Sequence, residues 1–535
     1  MLFFSCPALI ETFFSFNYVT RKLKVSPQKA MNREESLHQL SQTPLWDMVI
    51  IGGGATGLGA ALDAASRGYK TLLVEQYDFS KGTSSRSTKL VHGGVRYLQQ
   101  GNIKLVREAL RERGYLLHNA PHLTSVQPFI VPVFSLWEKF YYAFGLKIYD
   151  LLSGKLSLGK TQVLSKKQTM EHLPAINPSK LAGGILYFDG QFDDSRLCAD
   201  LATTAAIQGA TIINYCKATG FTKNKEKISG VHLMDTISGK EYTVQSKSAI
   251  NATGVFTDAV LQMDDAARHD LVSPSQGIHL VVNRSFFPGT DAMMIPKTDD
   301  GRVLFAVPWH NEVVLGTTDT PIETTVIEPK PLEEEIEFIL THINRYGTRT
   351  ILRSDVKSVY VGLRPLVKMK GAQNTALIAR DHTLVIAPSG LVTVTGGKWT
   401  TYRKMAQDAV DNAIFISKQE KRECVTRELA IGNVLLREEL LQKLITDNQS
   451  LAERIHPQYP YTKAELVYAV QYEMAVTIED ILARRTRLLF LDAKAAMESV
   501  SLVAAMMSAK LGKDAQWEND QATAFHQLAK QYLLS

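Results

Sequence analysis

The chain has 535 residues, 45% hydrophobic and 21% charged, with a formal net charge of +6. That is an ordinary globular balance, long enough for more than one domain and too mildly basic to point to nucleic acid. Four cysteines (Cys6, Cys198, Cys216, Cys424) show no C-x-x-C pair and no metal-type spacing, and no apolar run reaches the roughly 18 residues of a membrane span.

Residues 1–30 differ in character from the rest. MLFFSCPALIETFFSF is apolar and aromatic, but no positive region precedes it and Glu11 interrupts it, which makes a poor signal peptide. Met31 opens a polar segment, MNREESLHQL, that leads into the first strand. The preferred reading is that translation starts at Met31, with 1–45 as an N-terminal extension; a membrane-associating leader is the alternative. Arg21, Lys22, Lys24 and Lys29 against Glu11 give residues 1–30 half of the net charge. The cysteines read as reduced thiols of a cytosolic compartment.

The next stretch, Asp47 to Glu75, organises the chain. Met48 to Ile51 is an apolar run of the length of a buried strand. Gly52, Gly54 and Gly57 follow as G-x-G-x-x-G, then an alanine-rich helix from about Leu58 to Ser66, then a second buried strand from Thr71 to Val74. Gly52 allows the tight turn out of the strand. Gly54 lets backbone approach a pyrophosphate, and Gly57 lets the helix sit close to the sheet with its amides towards the phosphates. Glu75 falls where a carboxylate accepts from a ribose. With strand, helix, second strand and acid in register, the unit predicts a dinucleotide site.

The loop after it, FSKGTSSRSTKLVHGGVRYLQQGN, offers hydroxyls and backbone amides to phosphates and to a ring edge. Residues 103–118 read as a helix. So do residues 134–152, where Trp137, Phe140, Tyr141, Phe144, Ile148, Leu151 and Leu152 recur at three- and four-residue steps on one face. Across 128–167, lysines 139, 147, 155, 160, 166 and 167 face only Glu138 and Asp150, a net +4. Aromatics on one face with lysines around them describe an interfacial helix drawn to anionic lipid; a helix packed on the protein's own core is the other reading.

Short period-two runs follow (IINYCKATGFTKN, KISGVHLMD, KEYTVQSKSAI, GIHLVVN, MMIPKT, RVLFAVPW, EVVLGTT) and suggest an antiparallel sheet. Two later turns can approach a cofactor. SAINATGVFTD (248–258) ends a strand at Ala252 and Gly254. LVTVTGGKWTTYRKMAQDAV (391–410) is a strand, the Gly396–Gly397 turn and a helix start, with amides at Gly396, Gly397 and Lys398. Beyond about 415 the chain reads as helical.

The run Thr83 to Leu98, T-S-S-x-S-x-K-L-x-H-G-G-x-R-Y-L, resembles the FAD-dependent, quinone-linked sn-glycerol-3-phosphate dehydrogenases. So do DDGRVLFAVPW (299–309), GTTDTP (316–321), VGLRPLV (361–367) and TGGKWTTYRKMA (395–406), and 467–492 resembles that family's helical cap. The likeness covers about Trp46 to the end. Arg86 departs from it, in a loop usually made of small hydroxyl residues. The resemblance implies an FAD-binding Rossmann-like domain interleaved with an antiparallel-sheet substrate domain (46–415), followed by an all-helical cap (416–535). It implies FAD as cofactor, with Thr83, Ser84, Ser85, Lys89, His92, Gly93 and Gly94 joining the glycines, Glu75, Ala252, Gly254, Gly396, Gly397 and Lys398 around it. It implies sn-glycerol 3-phosphate as substrate, a membrane quinone as electron acceptor, and residence on the cytoplasmic, inner face of the cell membrane.

Within that frame Arg96, Arg364 and Lys398 are expected at the phosphate and hydroxyl groups, with Thr400 beside them, because an arginine fork matches phosphate oxygens. His279 is the candidate base; the alternative is that Arg364 stabilises the developing alkoxide while solvent takes the proton. Asp319 is expected to organise a turn. No metal site is expected. No D-x-[DN]-x-[DN]-G loop occurs, so the bacterial type without calcium-binding hands is favoured. The rival functions are an oxidase passing electrons to dioxygen, a relative acting on amino or hydroxy acids, and a non-catalytic flavin-binding protein. A homodimer is left open.

Overall fold

The computed structural model describes residues 31–534 apart from 100, 269 and 369–381, and apart from the side chains of Arg96 and Gln99. The leader expected over 1–30, with Cys6, lies outside the described residues, as does the Arg96 side chain.

Four-residue apolar runs with no polar side to offer water become central parallel strands. Met48–Ile51 is buried along its whole length and pairs in parallel with Thr71–Val74 on one side and Ala249–Asn251 on the other. Val392–Gly396 and Thr211–Ile213 extend the sheet in parallel, and His382–Ile386 closes one edge antiparallel. The six strands run in the order 382–386, 392–396, 249–251, 48–51, 71–74, 211–213.

The alanine-rich helix on this sheet spans Ala55–Ser66, one turn earlier than expected. Gly54 is its extended N-cap, so Gly57 lies inside the first turn instead of ahead of it. Ala60, Ala61, Ala64 and Ala65 are buried on its packing faces. A Cβ at Gly59 would stand 2.9 Å from the Tyr402 ring, so glycine sets the close crossing with the helix Tyr402–Ile416.

The second sheet is mixed, not antiparallel throughout. Its core pairs Ser275–Asn283 with Glu312–Gly316 and with Val356–Arg364, all antiparallel. Ala292–Ile295 instead pairs in parallel with Thr124–Val133, a ten-residue strand that itself pairs along its whole length with Gly183–Phe192. Three of the runs grouped with this sheet by their periodicity belong elsewhere. Cys216–Asn224, Lys227–Asp235 and Glu241–Gln245 form a separate three-stranded antiparallel sheet.

From Val434 on, the regular elements are helical. Leu488–Leu491 is fully buried, and this region packs on Val281, Trp309, Val314 and Tyr360 of the mixed sheet. Its contact with the cofactor-side loop is ionic. Asp78 receives Arg484 Nε at 2.6 Å and both terminal nitrogens of Arg485 at 2.8 and 2.9 Å, all buried. No helix among the described residues is long and apolar enough to cross a membrane.

Candidate active site

A cleft of about 590 Å³ opens where the carboxyl ends of the parallel strands meet the mixed sheet, the usual ligand position in such folds. The glycine turn forms one wall. Gly52 has φ +113, and a Cβ there would stand 2.6 Å from the Ala252 carbonyl oxygen. Gly57 is not a wall of the cleft. It lets the helix start press on the turn, since a Cβ there would overlap the Gly52 carbonyl oxygen. Ala55 N–H donates to Ser84 Oγ at 3.0 Å, which fixes the serine loop over the helix N-terminus. This is the cradle a dinucleotide pyrophosphate needs: backbone approach, amides and no obstructing side chain.

Glu75 lines the same cleft and accepts from the N–H groups of Gly53 (2.6 Å) and Tyr77 (2.9 Å). Burial raises its carboxyl above the usual range, against the lowering effect of those two N–H donors. Ala252, Gly254, Thr83, Gly396 and Gly397 are also walls. Gly396 and Gly397 both have positive φ, +78 and +68, and a Cβ at Gly397 would stand 2.5 Å from Met405 Sδ. Trp399 Nε1 donates to the Ser84 carbonyl at 2.9 Å, so the glycine-pair turn and the serine loop are stitched across the cleft.

Besides Gly57, four expected cofactor contacts are not walls of the cleft. The Lys89 ammonium is wholly buried away from the cleft, bonded to Ser85 O (2.7 Å) and to both Asp194 carboxylate oxygens (2.8 Å each). It also sits 4.9 Å from the Trp309 ring centre. Ser85 is buried beneath the loop, and Gly93 and Gly94 pack behind and beside it. Arg86, the departure from the family pattern, lines the cleft but extends its guanidinium to Glu328 at 2.7 Å, a carboxylate also held by Tyr532. It therefore replaces a small residue without bringing its charge to the serine loop.

His92, expected at the flavin, and His279, Arg364, Lys398 and Thr400, expected at the substrate, all line the cleft. Arg364 ends its strand with a guanidinium held in place on four sides. Nη1 donates to Gln276 O and Asp319 Oδ1, both at 3.2 Å; Nη2 donates to Thr317 Oγ1 at 3.1 Å and Thr318 O at 2.8 Å. A Cβ at Gly277 would overlap Nη2, so Gly277 makes the room for this arginine. Asp319 also accepts from Ser275 Oγ at 2.7 Å. Lys398 Nζ lies 3.8 Å from the centre of the Tyr97 ring. Thr400 is buried and ties its segment to His92, accepting from the His92 N–H at 3.1 Å.

His279 is buried, stacked on Tyr360 at 4.8 Å, with Nε2 2.8 Å from Thr88 Oγ1. Burial first, then the charges of Arg364 and Lys89, hold its imidazole well below the ordinary histidine value. It is a neutral ring at physiological pH. Thr88, Gly277 and Trp399 were not singled out by the sequence; only the first lies in the hydroxyl-rich run that pointed to the loop.

On the outer surface, the helix Leu136–Ser153 turns Ala143, Leu146 and Tyr149 inward. Outward it presents Leu136, Trp137, Phe140, Tyr141, Phe144 and Leu151, with Trp137 73% and Leu151 79% exposed. Lys147, Lys155 and Lys160 are exposed around them.

A model of the FAD dependent oxidoreductase family matches residues 47–403, and one of the C-terminal domain of alpha-glycerophosphate oxidase matches 436–518. The mitochondrial glycerol-3-phosphate dehydrogenase of Mesocricetus auratus is 39% identical over 550 residues, covering 94% of this chain and 75% of its own length. The human protein of that name is 38% identical, with the same coverages. Among solved structures, the glycerol-3-phosphate dehydrogenase from Bacillus halodurans complexed with FAD matches with a TM-score of 0.75 and 28% identity, over 94% of this chain and 98% of that one. These identities run higher to animal mitochondrial enzymes than to the bacillar one, and the bacterial-type expectation gains no support from them.

Proposed function

The chain belongs to the FAD-dependent glycerol-3-phosphate dehydrogenase family, and on that premise we propose that it oxidises sn-glycerol 3-phosphate to dihydroxyacetone phosphate and passes the electrons to a membrane quinone. The observation that carries the reading is the gathering of Arg364, Lys398, His279 and Thr400 on the walls of the same cleft as the glycine cradle. Bound FAD supplies the two-electron acceptor for the hydrogen on the substrate's secondary carbon. The residues that would hold it are Gly52, Gly54, Glu75, Thr83, Ser84, Ala252, Gly254, Gly396 and Gly397.

Lys398 and Arg364, with Arg96, would hold the phosphate and the hydroxyl groups. Arg364 is fixed by carbonyls and by Asp319, so it offers charge without needing to reorganise. The depressed basicity of His279 favours one of the two proton routes. A neutral imidazole whose charged form is disfavoured hydrogen-bonds the alcohol but does not keep its proton. Arg364 then stabilises negative charge on the oxygen, and solvent takes the proton.

A lipid-soluble acceptor requires an approach to the bilayer. The exposed aromatic face of Leu136–Ser153 and its lysines fit docking on an anionic lipid surface. The location proposed is the inner face of the cell membrane; the relatives are named mitochondrial, and subcellular fractionation separates the two. A homodimer remains a proposal for sedimentation to test. Steady-state turnover tests the function: sn-glycerol 3-phosphate should drive reduction of a soluble quinone much faster than it forms hydrogen peroxide. Peroxide formation at the full rate would make the protein an oxidase, and no turnover in either assay would leave a flavin-binding protein.

A further inference from the structure

The aromatic surface helix has an inner face that reaches the flavin side of the molecule. Tyr149 is wholly buried there. The backbone N–H of Gly93 donates to the Tyr149 hydroxyl oxygen at 2.7 Å, and that hydroxyl donates to Asp189 Oδ2 at 2.7 Å. Arg113 completes the chain, donating from Nη1 to Asp189 Oδ1 at 2.8 Å and from Nη2 to Leu156 O at 3.1 Å. Burial first, then Asp189, hold the phenol well above its ordinary value, so it stays a donor. Space agrees with this arrangement. A Cβ on Gly93 would stand 2.5 Å from the hydroxyl oxygen and from Leu110, so only glycine lets the loop close on Tyr149.

The front of the same loop is in the site. His92 lines the cleft, and its carbonyl accepts from the Thr400 hydroxyl at 3.3 Å. Gly94 turns the chain with φ +81, and a Cβ there would stand 2.8 Å from Lys398 Nζ. Segment 92–94 therefore has Lys398 and Thr400 in front of it and Tyr149 behind it. Tyr149 itself is not a wall of the cleft.

We infer that Tyr149 is a positioning residue: its hydroxyl, anchored by Asp189 and Arg113, sets segment 92–94 and through it the placement of Lys398 and Thr400. The inference rests on the reading that this cleft holds flavin and sn-glycerol 3-phosphate. It gives Gly93 a role in packing the loop and takes it out of the cofactor contacts.

Tyr149→Phe keeps the ring and removes both hydrogen bonds, while Asp189→Asn keeps an acceptor for the hydroxyl. The FAD-loaded full-length variants are reduced anaerobically with sn-glycerol 3-phosphate in a stopped-flow instrument. For Tyr149→Phe the limiting rate of flavin reduction should fall roughly fivefold, the weight of the Gly93 hydrogen bond, the one of the two that holds segment 92–94. In the same variant, substrate affinity and FAD content should stay near wild type and the visible flavin bands should move, while Asp189→Asn, which leaves the buried Arg113 without its counter-charge, should lose at least as much. A limiting rate and bands like those of the wild type overturn the inference, as does a loss confined to substrate affinity. Failure of both variants to retain FAD assigns the network to folding and overturns it too. A wild-type flavin that sn-glycerol 3-phosphate does not reduce would overturn the substrate reading instead; the band shift of Tyr149→Phe then decides the positioning role alone.

Discussion

Replacing Trp137 and Phe140 together by serine separates the two readings of the surface helix. Both rings stand out from the protein, 73% and 66% exposed, and lie along one face with Phe144, Trp137 tilted against Phe140 and Phe140 stacked on Phe144. An aromatic side chain carries roughly 150–250 Å², and apolar burial is worth about 25 cal/mol per Å², so covering the exposed part of each ring yields on the order of 3 kcal/mol. Immersion at a lipid interface is partial, so about half of that is counted for each ring. The pair is then worth about 3 kcal/mol, or roughly 100-fold in vesicle affinity. The assay is co-sedimentation with vesicles rich in phosphatidylserine at low salt, beside thermal unfolding and FAD content. The double variant should lose vesicle binding and quinone-coupled turnover while its unfolding temperature and FAD content hold, because solvent-exposed side chains contribute little to folding. Added salt should weaken binding of the wild type through its lysines. A double variant that unfolds early and sheds FAD, or a wild type that ignores anionic vesicles, refutes the reasoning.

The other predictions concern the cleft. Arg364→Ala and Lys398→Ala should each lower kcat/KM for sn-glycerol 3-phosphate by on the order of 2–3 kcal/mol, roughly 30- to 150-fold, with FAD content preserved; unchanged kinetics would remove them from the site. Gly57→Ala should abolish FAD retention, because the added carbon overlaps the backbone carbonyl of Gly52, and such overpacking costs roughly 1–3 kcal/mol even where side chains can yield; a variant that binds FAD normally would contradict the cradle. His279 makes stability depend on pH. Its folded pKa is depressed, so the unfolded chain binds a proton below about pH 6.5 that the native state refuses. Stability should therefore fall as pH drops below that value, and His279→Gln should flatten the slope in urea melts; an equal slope in both proteins would show that the ring titrates normally.

The glycine unit was legible because its pattern is local: strand, turn, helix and acid lie within thirty residues, and Gly57 answers to Gly52 in the same segment, although Gly52 itself answers to Ala252, which no local pattern shows. Lys89 was misread for the opposite reason. A lysine among hydroxyl residues reads as a phosphate contact, but its partner Asp194 lies 105 positions on, beyond any local pattern. Tyr149 was read only as part of an amphipathic helix, since its Gly93 and Asp189 partners come from two other segments. The strand Thr124–Val133 was not read because Pro128 and Pro132 break the usual signal, and both are accommodated opposite Gly183–Phe192. Period-two runs identified strands correctly but not their partners, so three strands were joined to the wrong sheet.

The central claim is that one cleft holds the flavin and a glycerol phosphate together. Anaerobic addition of sn-glycerol 3-phosphate to the FAD-loaded protein, followed at the visible flavin absorbance, tests it most directly. The account predicts full bleaching by sn-glycerol 3-phosphate and none by glycerol, which lacks the phosphate that Arg364 and Lys398 would hold. Equal bleaching by both, or a flavin that stays oxidised in sn-glycerol 3-phosphate while dithionite reduces it, would contradict it.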